Sequence, residues 1–172
     1  MEKEQLTITK ALNFARHDFL NKLQIVLMHI DLDNVADARK TILNVTDEMR
    51  QLSRLELLGL PETAKWLITF GWLYPAYQKT LTCMTKPGMR LADDVEIAAY
   101  LERLFQGVGE LLNPAVEYEA HIEVNSSSTD WSIKISISGA MLEPYRPLET
   151  RASFVVEETN SHNLWTFTLS GQ

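Results

Sequence analysis

Three ionisable side chains stand next to one another at Arg16, His17 and Asp18, and Asn21 and Lys22 follow one turn later, in the stretch FARHDFLNKLQ. A neutral imidazole nitrogen is a good nucleophile near pH 7 and accepts a phosphoryl group readily. Arg16 or Lys22 can lend positive charge to such a group, and Asn21 can hydrogen-bond the ring or what the ring carries. Asp18 flanks the ring on the other side in sequence. The spacing allows this chemistry but equally suits a solvated helix surface. The direction in which His17 points therefore matters.

Residues 3 to 30 contain neither Pro nor Gly, and Leu12, Ala15, Phe19, Leu23, Val26 and Ile30 recur at spacings of three or four. That rhythm predicts one long helix with a heptad seam. With each residue turning about 100°, His17 falls about 140° from Leu12, and Asn21 and Gln24 fall about 180° and 120° from it. The three share a face away from the seam. If the seam lies inside a bundle, His17 is held on its outer wall, rigid yet reachable. Phe14 and Leu20 lie close to His17 in the same projection and offer an apolar patch to a docking partner.

DLDN, 31 to 34, predicts a turn with Asp33 or Asn34 as the next N-cap. Val35, Ala38, Ile42, Val45, Met49 and Leu52 predict a second helix over 35 to 58, stopped by Gly59 and Pro61. Two long helices joined by a short turn make an antiparallel hairpin. Phe14, Ile25 and Met28 lie off the first seam. A second copy of the hairpin would bury them in a four-helix bundle, and the C-terminal half is the alternative cover.

From residue 62 the periodicity changes. A helix is expected over 62 to 78 with Pro75 bending or ending it, a strand over 80 to 86, and an amphipathic helix from Asp93, as N-cap, to Leu112. VEYEAHIEV and WSIKISIS alternate as half-buried strands do, around the polar turn NSSSTD. FVVEE and LWTFTLS read as a further hairpin around Asn160 and Ser161. The fold class expected is α+β: a helical hairpin over 1 to 60, for dimerisation and phosphoryl acceptance, then an α/β domain over 61 to 172.

ARHDFLNKLQIV, 15 to 26, resembles the phosphoacceptor box of the sporulation-initiation phosphotransferases, the B component of the bacterial sporulation phosphorelay, which are related to sensor histidine kinases. The matching residues are His17, Asp18, Phe19, Asn21 and Leu23. The layout of hairpin followed by an α/β domain is similar over nearly the whole chain, with scattered matches such as LITFGW at 67 to 72. The resemblance implies a homodimer whose hairpins form a four-helix bundle with two exposed histidines. It implies that His17 takes a phosphoryl group from the aspartate of one response regulator and passes it to another, controlling sporulation. It further implies that the C-terminal domain looks like a histidine-kinase ATP-binding domain that has lost ATP binding. Arg16, Asp18 and Asn21 would support the chemistry, and Phe14, Leu20 and Gln24 would dock the regulator. No cofactor would bind this chain, and Mg²⁺ would come with the regulator.

Kinases of that type need an asparagine-box helix and glycine-rich stretches around the nucleotide. The matching helix end is ELLNPA, 110 to 115, with Glu110 and Pro114 at the asparagine positions and Asn113 out of register. The matching strand end is ISGAML, 137 to 142, with Ser138 in place of an aspartate. The whole chain has seven glycines, too few for a backbone that must wrap a triphosphate. A phosphotransferase is therefore expected over a kinase. A histidine-kinase core without its membrane part and a non-catalytic dimeric module that binds a kinase or regulator are the alternatives.

Composition sets outer bounds. Twenty-three acidic against 16 basic residues give a formal charge of −7, which argues against a nucleic-acid surface. Cys83 is the single cysteine, so no intrachain disulfide forms, and no metal site is expected at it. His29 is read as a partner for the helix C-terminal dipole, and His121 and His162 fall in the sheet region. The N-terminus shows no apolar leader, and the apolar run from Trp66 to Tyr77 is about half a membrane span. A cytoplasmic protein with no membrane contact is expected.

Overall fold

The structure is a computed structural model that describes residues 7–109, 112–113, 115–139, 153–161 and 163–172. The chain is α+β, a helical hairpin followed by a five-stranded sheet with helices on one face. It divides into two compact units, one ending at Arg50 and the other starting at Gln51.

In the first unit, α1 runs Ile8–Asp31, and the hydroxyl of Thr7 caps it by accepting from the Lys10 N–H at 3.3 Å. Asp33 turns the chain at positive φ (54°), which aspartate tolerates better than most residues. Asn34 then caps the second helix, α2 (Val35–Leu55), by accepting from the Asp37 N–H. A salt bridge from Lys22 to Glu48 ties the two helices together. No described residue of α1 is buried. Leu12 is 66% exposed and Phe19 54%, so the heptad seam remains open in the single chain.

In the second unit, α2 tightens into a 3-10 turn at Glu56–Leu58, and Gly59 closes it at φ 77°. A left-handed C-cap of this kind favours glycine. The next helix, α3, spans Pro61–Leu73. It ends earlier than the expected residue 78, because Tyr74 precedes Pro75 and is pushed out of the helical region. The first strand accordingly starts sooner than expected, with β1 at Tyr77–Met84. Helix α4 is Asp94–Gly109, and the Asp93 carboxylate caps it by accepting from the Glu96 N–H at 3.1 Å. The remaining strands are β2 (Tyr118–Ser126), β3 (Trp131–Ser138), β4 (Val155–Ser161) and β5 (Leu164–Gly171).

The sheet order is β1-β2-β3-β5-β4. The β1–β2 pair is parallel, with α4 in the crossover, and the other pairs are antiparallel. Strict alternation in β3 buries Trp131, Ile133, Ile135 and Ile137 on one face. That face meets α3 and α4 through Phe70 and Phe105, whose ring centroids lie 4.9 Å apart, edge to face. The free edge of β1 is covered from within the unit. Gln51 Oε1 accepts from the Cys83 N–H at 2.8 Å, and the Arg54 guanidinium donates to the Cys83 carbonyl at 3.1 Å. Covering an edge in this way removes a template for unwanted strand pairing.

Candidate functional site

His17 sits in the middle of α1 with its side chain 71% exposed. The helix holds its Cα still, and two neighbours address the same ring nitrogen. The Asn21 amide nitrogen Nδ2 lies 3.2 Å from Nδ1, across one turn, and a carboxylate oxygen of Asp18 lies 3.7 Å from it. An ionised carboxylate only accepts hydrogen bonds. As placed, the amide nitrogen donates to the Nδ1 lone pair; turned about its last bond, the amide presents its oxygen and accepts from Nδ1–H instead. Asp18 at 3.7 Å acts on the ring through its charge and not through a hydrogen bond. In the turned arrangement the lone pair belongs to Nε2, on a side chain that is largely exposed.

Arg16 and Lys22, the two cations read from the sequence, differ in their partners. Glu48 on α2 holds Lys22. Arg16 donates through Nη2 to Asn13 Oδ1 at 3.1 Å. Phe14 and Leu20 are 42% and 49% exposed, and Gln24 is exposed. The structure thus places Asp18 and Asn21 each beside Nδ1 of His17. It shows Phe14, Leu20 and Gln24 as exposed positions of the same helix.

Asn13 and Glu48 are the two residues the sequence reading left out. The i,i+3 spacing of Asn13 and Arg16 is a readable signal. The pairing of Glu48 with Lys22 depends on the register between two helices, which local spacing does not encode.

Elsewhere the histidines have ordinary partners. His29 is the basic residue in the last turn of α1. The His121 ring bonds Thr80 Oγ1 at 2.8 Å, on the sheet face away from the helices. His162 lies outside the described residues, as do Glu110 and Pro114 of the expected nucleotide box. Asn113 is described. Its side-chain oxygen accepts from the Ala115 N–H at 3.0 Å, and its own N–H donates to the Tyr118 hydroxyl. At the end of β3, Ser138 stands where a nucleotide-reading aspartate was sought, and its hydroxyl donates to Glu119. The Tyr118 ring packs against the following residue, Gly139 (φ 136°), so closely that a Cβ there would lie 2.5 Å from a ring carbon.

The Cys83 thiol is buried, and burial pushes its pKa up to about 11. It is therefore a packing group rather than a nucleophile. Among the described residues no group of three His, Cys, Asp or Glu is placed to hold a metal ion, and no helix is long and apolar enough to cross a membrane.

Residues 1–57 match the family model of the alpha-helical domain of SpoOB-type sensor kinases. The helical hairpin that carries His17 is thus similar to that domain. A search of curated proteins finds no match. Among solved structures, the chain is similar to the histidine kinase AdeS of Acinetobacter baumannii, with 13% identity and a TM-score of 0.45, covering 91% of this chain and 97% of that one. It is also similar to the catalytic domain of the histidine kinase ThkA, with 13% identity and a TM-score of 0.40, covering 61% of this chain and 86% of that one.

Proposed function

We propose that the protein is a histidine phosphotransferase of a sporulation-type phosphorelay, moving a phosphoryl group between aspartates of two response regulators by way of His17. The observation that carries this reading is the exposed ring of His17 with both neighbours gathered at Nδ1. In the first half-reaction the ring reacts as its Nδ1–H tautomer, with the Asn21 amide turned so that its oxygen accepts from Nδ1–H, and Nε2 attacks the phosphorus of the regulator's acyl phosphate in line. The N–P bond forms as the acyl P–O bond breaks, and the electron pair leaves with the regulator's carboxylate. The ring keeps its Nδ1 proton and gains positive charge, which the Asp18 carboxylate stabilises. A second regulator's aspartate reverses the step. Most of the catalysis is positioning and charge neutralisation. Mg²⁺ arrives with the regulator.

The hairpin works as a homodimer in this reading, its open seam closed by a second copy. A phosphotransferase is favoured over a kinase because Ser138 replaces the nucleotide-reading aspartate and Gly139 is packed under the Tyr118 ring.

The test is to incubate the full chain with Mg²⁺ and receiver domains charged by radiolabelled acetyl phosphate. A His17→Ala variant and a lane with labelled ATP alone serve as controls. Acid-labile label on the wild-type chain, lost in the variant and missing from the ATP lane, is the expected result. Label from ATP alone would make the protein a kinase. A wild-type chain that stays unlabelled across a panel of receiver domains would leave a binding module.

A further inference from the structure

We infer that Asn13 is a positioning residue, which swings the Arg16 guanidinium round α1 toward His17 and holds it ready for the phosphoryl group. The inference rests on the phosphotransferase reading. Arg16 leaves the helix about 40° from Leu12, on the seam side, whereas His17 leaves at about 140°. An unrestrained arginine there would sample both sides. Asn13 leaves at about 100°, between the two, and its side-chain oxygen accepts from Arg16 Nη2 at 3.1 Å. The bond draws the cation across the gap that separates it from the histidine face.

The other cations of α1 are worse placed. Glu48 engages Lys22 on the side that meets α2. Lys10 stands seven residues before His17, about 10 Å along the axis. A planar guanidinium matches phosphoryl oxygens in a fork. Using one acceptor to hold it leaves its remaining N–H donors to face the incoming group. Ordering the long side chain beforehand lowers the entropy lost when that group arrives.

The test uses the full chain and phosphoramidate, which charges histidine without a regulator. The rate of N–P bond formation at His17 is followed by ³¹P NMR. Asn13→Ala is expected to slow charging about fivefold at saturating phosphoramidate, with the helix content by circular dichroism unchanged. The same substitution made on top of Arg16→Ala is expected to have no further effect, because Asn13 acts through Arg16. Arg16→Lys is expected not to restore the rate, since an ammonium cannot present the same fork.

Charging of Asn13→Ala at the wild-type rate would overturn the inference. So would an equal loss in the Arg16→Ala background, which would mark Asn13 as merely structural. A wild-type chain that charges from phosphoramidate but never from receiver domains would sink the phosphotransferase reading and leave the Asn13 result standing. A wild-type chain inert to both would overturn the two together.

Discussion

His17 and Asn21 are four residues apart, so a helix must stack them one above the other, and their contact at 3.2 Å follows from spacing alone. Which nitrogen carries the proton does not follow from spacing. The Asp18 carboxylate 3.7 Å from Nδ1 favours N–H there, whereas the Asn21 amide nitrogen at 3.2 Å favours a lone pair; a full charge outweighs an amide that can turn to present its oxygen. Long-range ¹⁵N–¹H NMR of the neutral ring should therefore show the Nδ1–H form in excess, the reverse of the preference of free imidazole side chains. Asn21→Ala should move the ratio back toward the free value and slow charging by about threefold. A wild-type ring found mostly as Nε2–H would remove the nucleophile assigned here. Local spacing does not encode the register between helices. Lys22 looks free beside His17 in sequence, but Glu48 lies 26 positions away and claims it.

Strand β3 was legible because alternation without exception leaves one register, and its bounds are those of WSIKISIS. Strand β1 was placed late because the apolar run through Trp66 to Tyr77 conceals the point at which helix gives way to strand. Only the restriction on Tyr74 by Pro75 marks it. Asp94 was invisible in another sense. It opens α4, but its carboxylate accepts the N–H groups of Glu62 at 2.6 Å and Thr63 at 2.9 Å, at the start of α3. The side chain thus satisfies the start of α3 while its charge lies in the first turn of α4, and helix N-termini favour an anion through their orphaned N–H groups and the helix dipole. Leu60, the N-cap residue of α3, makes no side-chain cap bond. Asp94→Ala should therefore cost about 1–2 kcal/mol in denaturant titration, more than an exposed substitution normally does. Asp94→Asn should recover part of that loss, because the amide keeps one accepting oxygen. A loss below about 0.3 kcal/mol for the alanine variant would show that water satisfies the start of α3 unaided.

The chain as a whole leaves apolar side chains in the open where a soluble monomer seldom does. Leu12, Phe19, Leu23 and Ile30 on α1 and Ile42 and Met49 on α2 are all exposed, at spacings that repeat the heptad. The heptad was plain in the sequence. A second hairpin would bury those stripes in a four-helix bundle and leave His17 on the outer wall, about 140° round from Leu12. The consequence is thermodynamic as well as geometric. If the hairpin folds fully only as a dimer, the melting of its helices must depend on protein concentration, whereas a monomer's would not. Sedimentation equilibrium should give twice the 19.6 kDa chain mass. Tenfold dilution should lower the helical melting temperature. Leu23→Glu, which puts a charge into the seam while leaving His17, Asp18 and Asn21 in place, should yield monomers with reduced helix content. Those monomers should also charge more slowly, because a frayed α1 no longer holds Asn21 and Asp18 against the ring. A wild-type chain that sediments at the single-chain mass at every concentration, with a melting temperature indifferent to dilution, would mean that the open seam awaits some other partner.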